Sequence, residues 1–261
     1  MSTIIYPSPI FGPVHSRRLG VSLGINLMPS DGKICTFDCI YCECGFNADH
    51  RPKFPRPTRE EVRQALQERL QDMLQNGPAP DVLTFAGNGE PTAHPHFPEI
   101  IQDTIALRDQ FFPKAKVSVL TNATLIHKPA VHAALMLVDN NICKLDTVSN
   151  EFIFHVDRPG NKQYQVEDII QSLKQFNSHV IIQTMFLKGG PHSAYAAIDN
   201  TTEAYVLPWL KALQDIKPQQ VMIYTIDRET PTKGLLKASP QELDAIRDRV
   251  QALGIPCTAS Y

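Results

Sequence analysis

The sequence predicts an α/β fold in which helices cover a mostly parallel sheet. Three observations predict it. Short β-branched runs alternate with amphipathic helical patterns about six times, which is the signature of strand–helix–strand units. No internal repeat, low-complexity tract or linker interrupts the 261 residues, so one domain is expected over residues 1–261. A 43% apolar and 20% charged composition is that of a globular chain able to bury a sizeable core.

The elements follow in order. After an N-terminal extension over residues 1–19, Gly20–Met28 reads as the first strand. A helix starts at Thr58, because Thr58-Arg59-Glu60-Glu61 has the form of a capping box. Val62, Leu66, Leu70, Met73 and Leu74 follow on one face, and Asn76-Gly77-Pro78 ends the helix. Asp81–Ala86 is a strand, Phe97–Phe112 a helix and Lys116–Thr121 a strand. A short helix from Pro129 leads to a strand at Asn141–Val148.

Gln165–Phe176 is helical, with Val166, Ile169, Ile170 and Leu173 on one side. Val180–Leu187 is a strand, and Thr201–Ile216 a helix in which Pro208 marks a kink or restart. Gln220–Ile226 is the sixth main strand. Residues 235–261 supply a C-terminal helix, opened by a second capping box at Ser239-Pro240-Gln241-Glu242, and a trailing strand at Ile255–Ala259. Periodicity alone does not separate a closed barrel from an open one or from a doubly wound sheet. The count of six favours a partial (β/α)6 TIM-like barrel over the full eight-unit form.

The charge balance of 25 Lys+Arg against 27 Asp+Glu argues against dependence on a large polyanion surface, so nucleic acid is not the expected partner. No apolar stretch approaches the roughly 20 residues that cross a bilayer. The start, Met1-Ser2-Thr3-Ile4-Ile5-Tyr6-Pro7, has neither a basic region nor an apolar signal core, which predicts a cytoplasmic location.

Six cysteines are present, and Cys35, Cys39, Cys42 and Cys44 fall within ten residues. Disulfide-stapled chains are short and secreted, so the cluster reads as a soft-metal site. Cys35-Thr36-Phe37-Asp38-Cys39-Ile40-Tyr41-Cys42 follows directly on the first strand, and three thiolates in one loop can bind three corners of an iron–sulfur cluster. Without a fourth protein ligand, one iron stays open to a small molecule. Other readings stand beside this one. His50 could complete a Cys3His zinc site, although no second C-x2-C pair is present. Cys44 could close the cluster, or act as a redox-active thiol, or be a bystander. Cys143 and Cys257 lie in apolar runs and read as buried small hydrophobes.

Downstream, Gly87-Asn88-Gly89-Glu90 ends the second strand, where a parallel barrel carries its active site. By itself this reads as a Gly-rich turn with a solvated acid; beside the cysteine loop it reads as a binding element. Thr121-Asn122-Ala123-Thr124 follows the third strand and serves either turn chemistry or binding. Asp146, Ser149 and Thr184 stand at later strand ends, as does Arg228, against the plain alternative of solvated strand ends. Arg17 and Arg18 precede the first strand, as a surface pair or as ligands for a substrate carboxylate or phosphate. His94 and His96, in a Pro-rich turn, read as surface residues.

The Cys-x3-Cys-x2-Cys motif with Tyr41 before the last cysteine resembles the signature of the radical S-adenosylmethionine (SAM) superfamily. Ser16-Arg17-Arg18-Leu19-Gly20, Ser22-Leu23-Gly24-Ile25-Asn26 and the segment through Arg158-Pro159-Gly160 are similar to a subgroup of small iron–sulfur oxidoreductases grouped with wyosine-synthase-type proteins. The match runs in order from about Pro9 to Pro231.

The resemblance implies a [4Fe–4S] cluster on Cys35, Cys39 and Cys42. It implies SAM held by Gly87, Asn88, Gly89 and Glu90, with Tyr41 against the adenine; Asn122, Asp146, Ser149 and Thr184 at the neighbouring strand ends are the further candidate contacts. Asn88 departs from the residue many members carry at the centre of this element. Reductive cleavage of SAM to a 5′-deoxyadenosyl radical is the implied activity, with flavodoxin or ferredoxin as reductant. Arg17, Arg228 and Cys44 are the substrate candidates, and no residue is assigned to the catalytic step itself. Glycyl-radical-enzyme activation and tRNA modification are the competing roles within the superfamily. A non-catalytic iron–sulfur or zinc protein is the alternative from outside it.

Overall fold

The computed structural model describes residues 3–16 and 20–261. These fall into two compact units. The first comprises Ile4–Thr36 and Asn47–Ile142, the second chiefly Phe37–Phe46 and Cys143–Tyr261. The cysteine loop is therefore divided, with Cys35 in the first unit and Cys39 and Cys42 in the second.

The first unit begins with β1 (Ile10–Ser16), antiparallel to β2 (Gly20–Ile25). Helix α1 (Arg59–Asn76) follows, then β3 (Val82–Phe85), α2 (Phe97–Phe111), β4 (Lys116–Thr121) and α3 (Pro129–Leu135). Strands β2, β3 and β4 are parallel neighbours in that order. Thr58 caps α1 with the full capping box, its hydroxyl accepting from the Glu61 amide while the Glu61 carboxylate receives the Thr58 amide.

Val62, Leu66, Leu70 and Met73 are buried as expected, but Leu74 is 60% exposed. At about 100° per residue, successive steps of four drift around the helix. The step of three to Met73 brings the stripe back to the core, and Leu74 lies one residue beyond it.

The chain passes into the second unit within β5 (Asn140–Lys144), shorter than the strand expected at Asn141–Val148. Helices α4 (Asn150–Val156) and α5 (Val166–Lys174) precede β6 (Ile181–Met185) and β7 (Leu187–Gly189). Helix α6 (Glu203–Ile216), β8 (Gln220–Tyr224), β9 (Leu235–Lys237), α7 (Pro240–Ala252) and β10 (Cys257–Ser260) complete it. Strands β6, β8 and β10 are parallel neighbours, and β7 pairs antiparallel with β9.

Pro208 neither ends nor restarts α6, which runs unbroken past it. Trp209 beside it is buried, and its indole N–H donates to the Leu145 carbonyl at 3.1 Å. No helix among the described residues is long and apolar enough to cross a membrane.

Four elements had no expectation in the sequence. α4 is seven residues long, too short to show a period. β7 and β9 are three residues each and find one another across nearly fifty positions. β1 lies inside the N-terminal extension.

Candidate functional site

In the first unit, the site is built where the segment before Cys35 meets the turn after β3. Ile34 N–H donates to the Asn88 carbonyl at 3.0 Å, and the Glu90 N–H donates to the Ile34 carbonyl at 3.2 Å. Gly89 makes this possible. Its φ is +144°, and a Cβ there would sit 1.8 Å from the Ile34 oxygen. Gly87 has φ +125° and packs against the Asn26 side chain, where a Cβ would lie 2.7 Å from it. The close approach allowed by both glycines is thus to the chain itself.

Asn88 is fully buried and its side chain is committed: Oδ1 accepts from the Tyr6 amide, and Nδ2 donates to the Tyr6 and Pro29 carbonyls. Asn26, also fully buried, accepts from the amides of Met28 and Asn88 through Oδ1. The Asn88 side chain is thereby an anchor for the N-terminal segment.

Glu90 is 2% exposed, not the solvated acid of a plain turn. Its Oε1 accepts from the Thr92 amide and hydroxyl and the Thr121 hydroxyl at 3.0, 2.6 and 2.7 Å, and Oε2 from the Asn122 amide at 2.7 Å. Burial raises its carboxyl above the usual range, opposed by these four donors. The acid therefore ties the end of β4 to the turn after β3.

Asn122 extends the connection to the cysteine. Its Nδ2 donates to the Thr36 hydroxyl at 2.7 Å and to the Cys35 sulfur at 3.5 Å, while its Oδ1 accepts from the Thr124 amide and hydroxyl. Turn chemistry and reach toward the site, weighed as alternatives in the sequence, are both served by this one side chain. The Cys35 backbone is held at both ends by Asn47, and Thr36 also meets Thr124 at 2.7 Å.

In the second unit, Cys39 and Cys42 lie in a tight turn closed by the Cys42 amide on the Cys39 carbonyl at 3.2 Å. The end of α4 is bound to this loop. Asp38 N–H donates to the Asp157 carbonyl and Ile40 N–H to the Val156 carbonyl, both at 2.9 Å.

Beneath the loop is a buried charged group that sequence reasoning missed. The Lys144 ammonium contacts the Tyr41 hydroxyl and Asp146, stands 3.0 Å from Asp157 and lies 4.7 Å from the centre of the Tyr41 ring. The Tyr41 hydroxyl donates to Asp146 at 2.5 Å. Burial would lower the Lys144 ammonium, but the two facing carboxylates outweigh it and hold it charged well above its usual range. Burial first, and then the same carboxylates, push the Tyr41 phenol up.

The signal for this group was a lysine two residues before an aspartate at a strand end. Its partners, Tyr41 and Asp157, are over a hundred positions apart in sequence.

The remaining expected contacts divide. Asp146 is buried, its Oδ1 accepting the Met185 amide at 2.9 Å, so it braces β6 besides binding Tyr41 and Lys144. Thr184 is fully buried and its hydroxyl donates to the Leu145 carbonyl at 2.7 Å, which commits that hydroxyl to the sheet. Tyr41 is 8% exposed and its ring packs in an apolar cluster with Ile40, Phe152 and Met185. Ser149 is partly exposed and caps α4. Arg228 is paired with Glu43 at 2.7 Å. Cys44 is buried, and Arg17 lies outside the described residues.

His94, expected at the surface, is 4% exposed. One ring nitrogen bonds the Pro57 carbonyl at 2.9 Å and the other the His96 amide at 3.2 Å.

The donor chemistry fits a cluster. None of the six cysteines is in a disulfide; Cys35, Cys39 and Cys42 are partly exposed, whereas Cys44, Cys143 and Cys257 are buried. Burial also pushes the Cys257 thiol up to about 12, in keeping with an inert core residue. Among the described residues no three His, Cys, Asp or Glu side chains converge on a point where one metal ion could sit. A cluster presents separate iron corners to its ligands and does not need that convergence.

The α/β chain carries a three-cysteine loop after its first parallel strand and a Gly-Asn-Gly-Glu turn after the second, the arrangement expected of an iron–sulfur, SAM-dependent protein. The sequence profile of the radical SAM superfamily matches residues 30–202, and the chain belongs to that superfamily. A [4Fe–4S] cluster and SAM are the cofactors of that superfamily.

A UPF0026 protein of Helicobacter pylori is 36% identical over 193 residues, covering 72% of this chain and 59% of the relative. Among solved structures, SuiB of Streptococcus suis with S-adenosylmethionine bound superposes with TM-score 0.64 at 14% identity, over 91% of this chain and 50% of SuiB. TYW1 with a lysine–pyruvate adduct superposes with TM-score 0.61 at 13% identity, over 88% of this chain and 73% of TYW1. These likenesses show the fold. The chain spans only half to three-fifths of the Helicobacter relative and of SuiB.

Proposed function

We propose that the chain is a radical SAM oxidoreductase in which Cys35, Cys39 and Cys42 ligate a [4Fe–4S] cluster. The observation that carries the reading is the division of the cysteines. The three at spacings of four and three are the partly exposed ones, and the other three are buried. Bound together, cluster and SAM supply a one-electron reductive cleavage that yields a 5′-deoxyadenosyl radical able to abstract hydrogen from a substrate C–H bond.

The chain's own residues hold the ligands in place. Asn122 directs an amide N–H at the Cys35 sulfur, which favours the thiolate and orients it. Glu90 and Thr121 lock the turn that carries Asn122. In the other unit, the Lys144 cation neutralises carboxylates beneath Cys39 that would otherwise disfavour a thiolate there. Flavodoxin or ferredoxin is the proposed reductant in a cytoplasmic setting.

The test is anaerobic reconstitution followed by dithionite and SAM, with Cys39→Ala as the blank. The reading requires 5′-deoxyadenosine from the wild-type chain alone, and a cluster EPR spectrum that SAM perturbs. A spectrum indifferent to SAM, with no 5′-deoxyadenosine, would reduce the chain to a non-catalytic iron–sulfur protein.

A further inference from the structure

We propose that Arg158 binds an oxyanion of the substrate, a carboxylate or phosphate group, on the second unit beside the Cys39 loop. This deepens the function proposed above and rests on it for the word substrate. Arg158 directly follows Asp157, the residue that closes α4 and whose carbonyl accepts the Asp38 amide, one residue before Cys39, at 2.9 Å. Its backbone has φ +50°, the left-handed region that favours glycine, and its N–H donates to the Ile153 carbonyl at 2.9 Å. A guanidinium stands where the backbone alone would be better served by glycine.

The side chain is half-buried, and its position is fixed before any ligand arrives. The guanidinium lies 5.3 Å over the Phe46 ring, and Nη2 donates to the Tyr195 hydroxyl at 2.5 Å. Tyr195 packs on the apolar cluster that also supports Cys39. Among the described residues, Nε and Nη1 have no hydrogen-bond partner, and no carboxylate comes within ion-pair distance of Arg158.

Arg228, one of the substrate candidates in the sequence, is already neutralised by Glu43. A half-buried cation without a counter-charge carries a desolvation cost that a bound oxyanion would relieve. The planar fork, stacked on one face and braced at one nitrogen, leaves its in-plane edge for two parallel N–H···O bonds.

The test is chemical footprinting of the full chain with its cluster reconstituted but with neither SAM nor reductant. Phenylglyoxal modification at each arginine is followed by peptide mass mapping in inorganic phosphate, in acetate, and in chloride at equal ionic strength. With phosphate or acetate at ten times its Kd, modification at Arg158 should slow about tenfold, by simple mass action. Arg63, which is exposed and meets only Glu60 at 3.8 Å, should keep its rate.

Protection by phosphate assigns a phosphorylated substrate group, and protection by acetate a carboxylate. Equal rates at Arg158 in all three salts overturn the proposal. So does an Arg158 that never reacts, because a side chain closed to the reagent is closed to a substrate group. Protection without 5′-deoxyadenosine formation would instead reject the radical chemistry and leave the anion site standing.

Discussion

The carbonyl of Ile34 occupies the space that a side chain on Gly89 would need. Through this contact, the residue before Cys35 runs parallel to the turn that presents Glu90, with one backbone hydrogen bond on either side of Gly89. Gly89→Ala must therefore break the pairing as well as adopt a φ of +144°. The expected cost is roughly 2 kcal/mol or more in urea unfolding. Iron incorporation on reconstitution should fall with it. Wild-type stability and iron content in this variant would show that the approach is dispensable.

Lys144→Met leaves Asp146 and Asp157 buried without their cation. Removing one partner of such a group costs about 3–5 kcal/mol. Lys144→Arg restores a charge but not the shape, and should recover part of the loss. Denaturant midpoints of the three proteins check the order wild type, Arg, Met. A Met variant as stable as wild type would mean the carboxylates are neutral in the folded chain.

His94 supplies a pH dependence. Burial first, and then the positive charge of Arg56, hold its pKa below the usual 6.5, opposed by the bond to the Pro57 carbonyl. A histidine whose folded pKa is depressed contributes stability that is present above the unfolded pKa and is lost as pH falls through the folded one. Protonation also removes the lone pair that accepts the His96 amide. Unfolding free energy measured from about pH 7 down to pH 5 should decline, and the slope should flatten in His94→Gln. Identical slopes would place the titration elsewhere.

Glu242 titrates in a lower window. Burial would raise its carboxyl, but the Lys188 ammonium and the Ser239 amide and hydroxyl outweigh that and hold it at about 2. Its contribution is present above the usual carboxylate pKa of 4.5 and is lost as pH falls toward 2. Glu242→Gln should lower stability near neutrality and converge with wild type in acid, as followed by thermal unfolding across pH. A constant gap at every pH would assign the effect to packing.

The helices were the most legible part of the chain, because their signals are local. Thr58 and Ser239 announced α1 and α7 by capping boxes, and both boxes form. The stripe Val62–Leu66–Leu70–Met73 is buried as its spacing required. Strand ends were less legible: the apolar run to Val148 outlasts β5, because Leu145–Val148 serve the loop that carries Asp146. The pair β7 and β9 joins residues nearly fifty positions apart, and no local pattern encodes that.

By itself the sequence determined the chemistry on offer: three closely spaced thiols, a Gly-Asn-Gly-Glu turn at a strand end, and membership of one superfamily. Such features depend on residue type and short spacing, which a chain displays before it folds. Tertiary structure alone decided which polar groups remain available. It committed the Thr184 hydroxyl to the sheet and Asn88 to the N-terminal segment, and closed Tyr41, Lys144, Asp146 and Asp157 into one buried group. It also left Arg158, which the sequence offered only within a family-like segment and with no role, as a braced cation without a counter-charge. Whether a side chain is satisfied depends on partners brought together from distant positions, and burial makes that satisfaction obligatory.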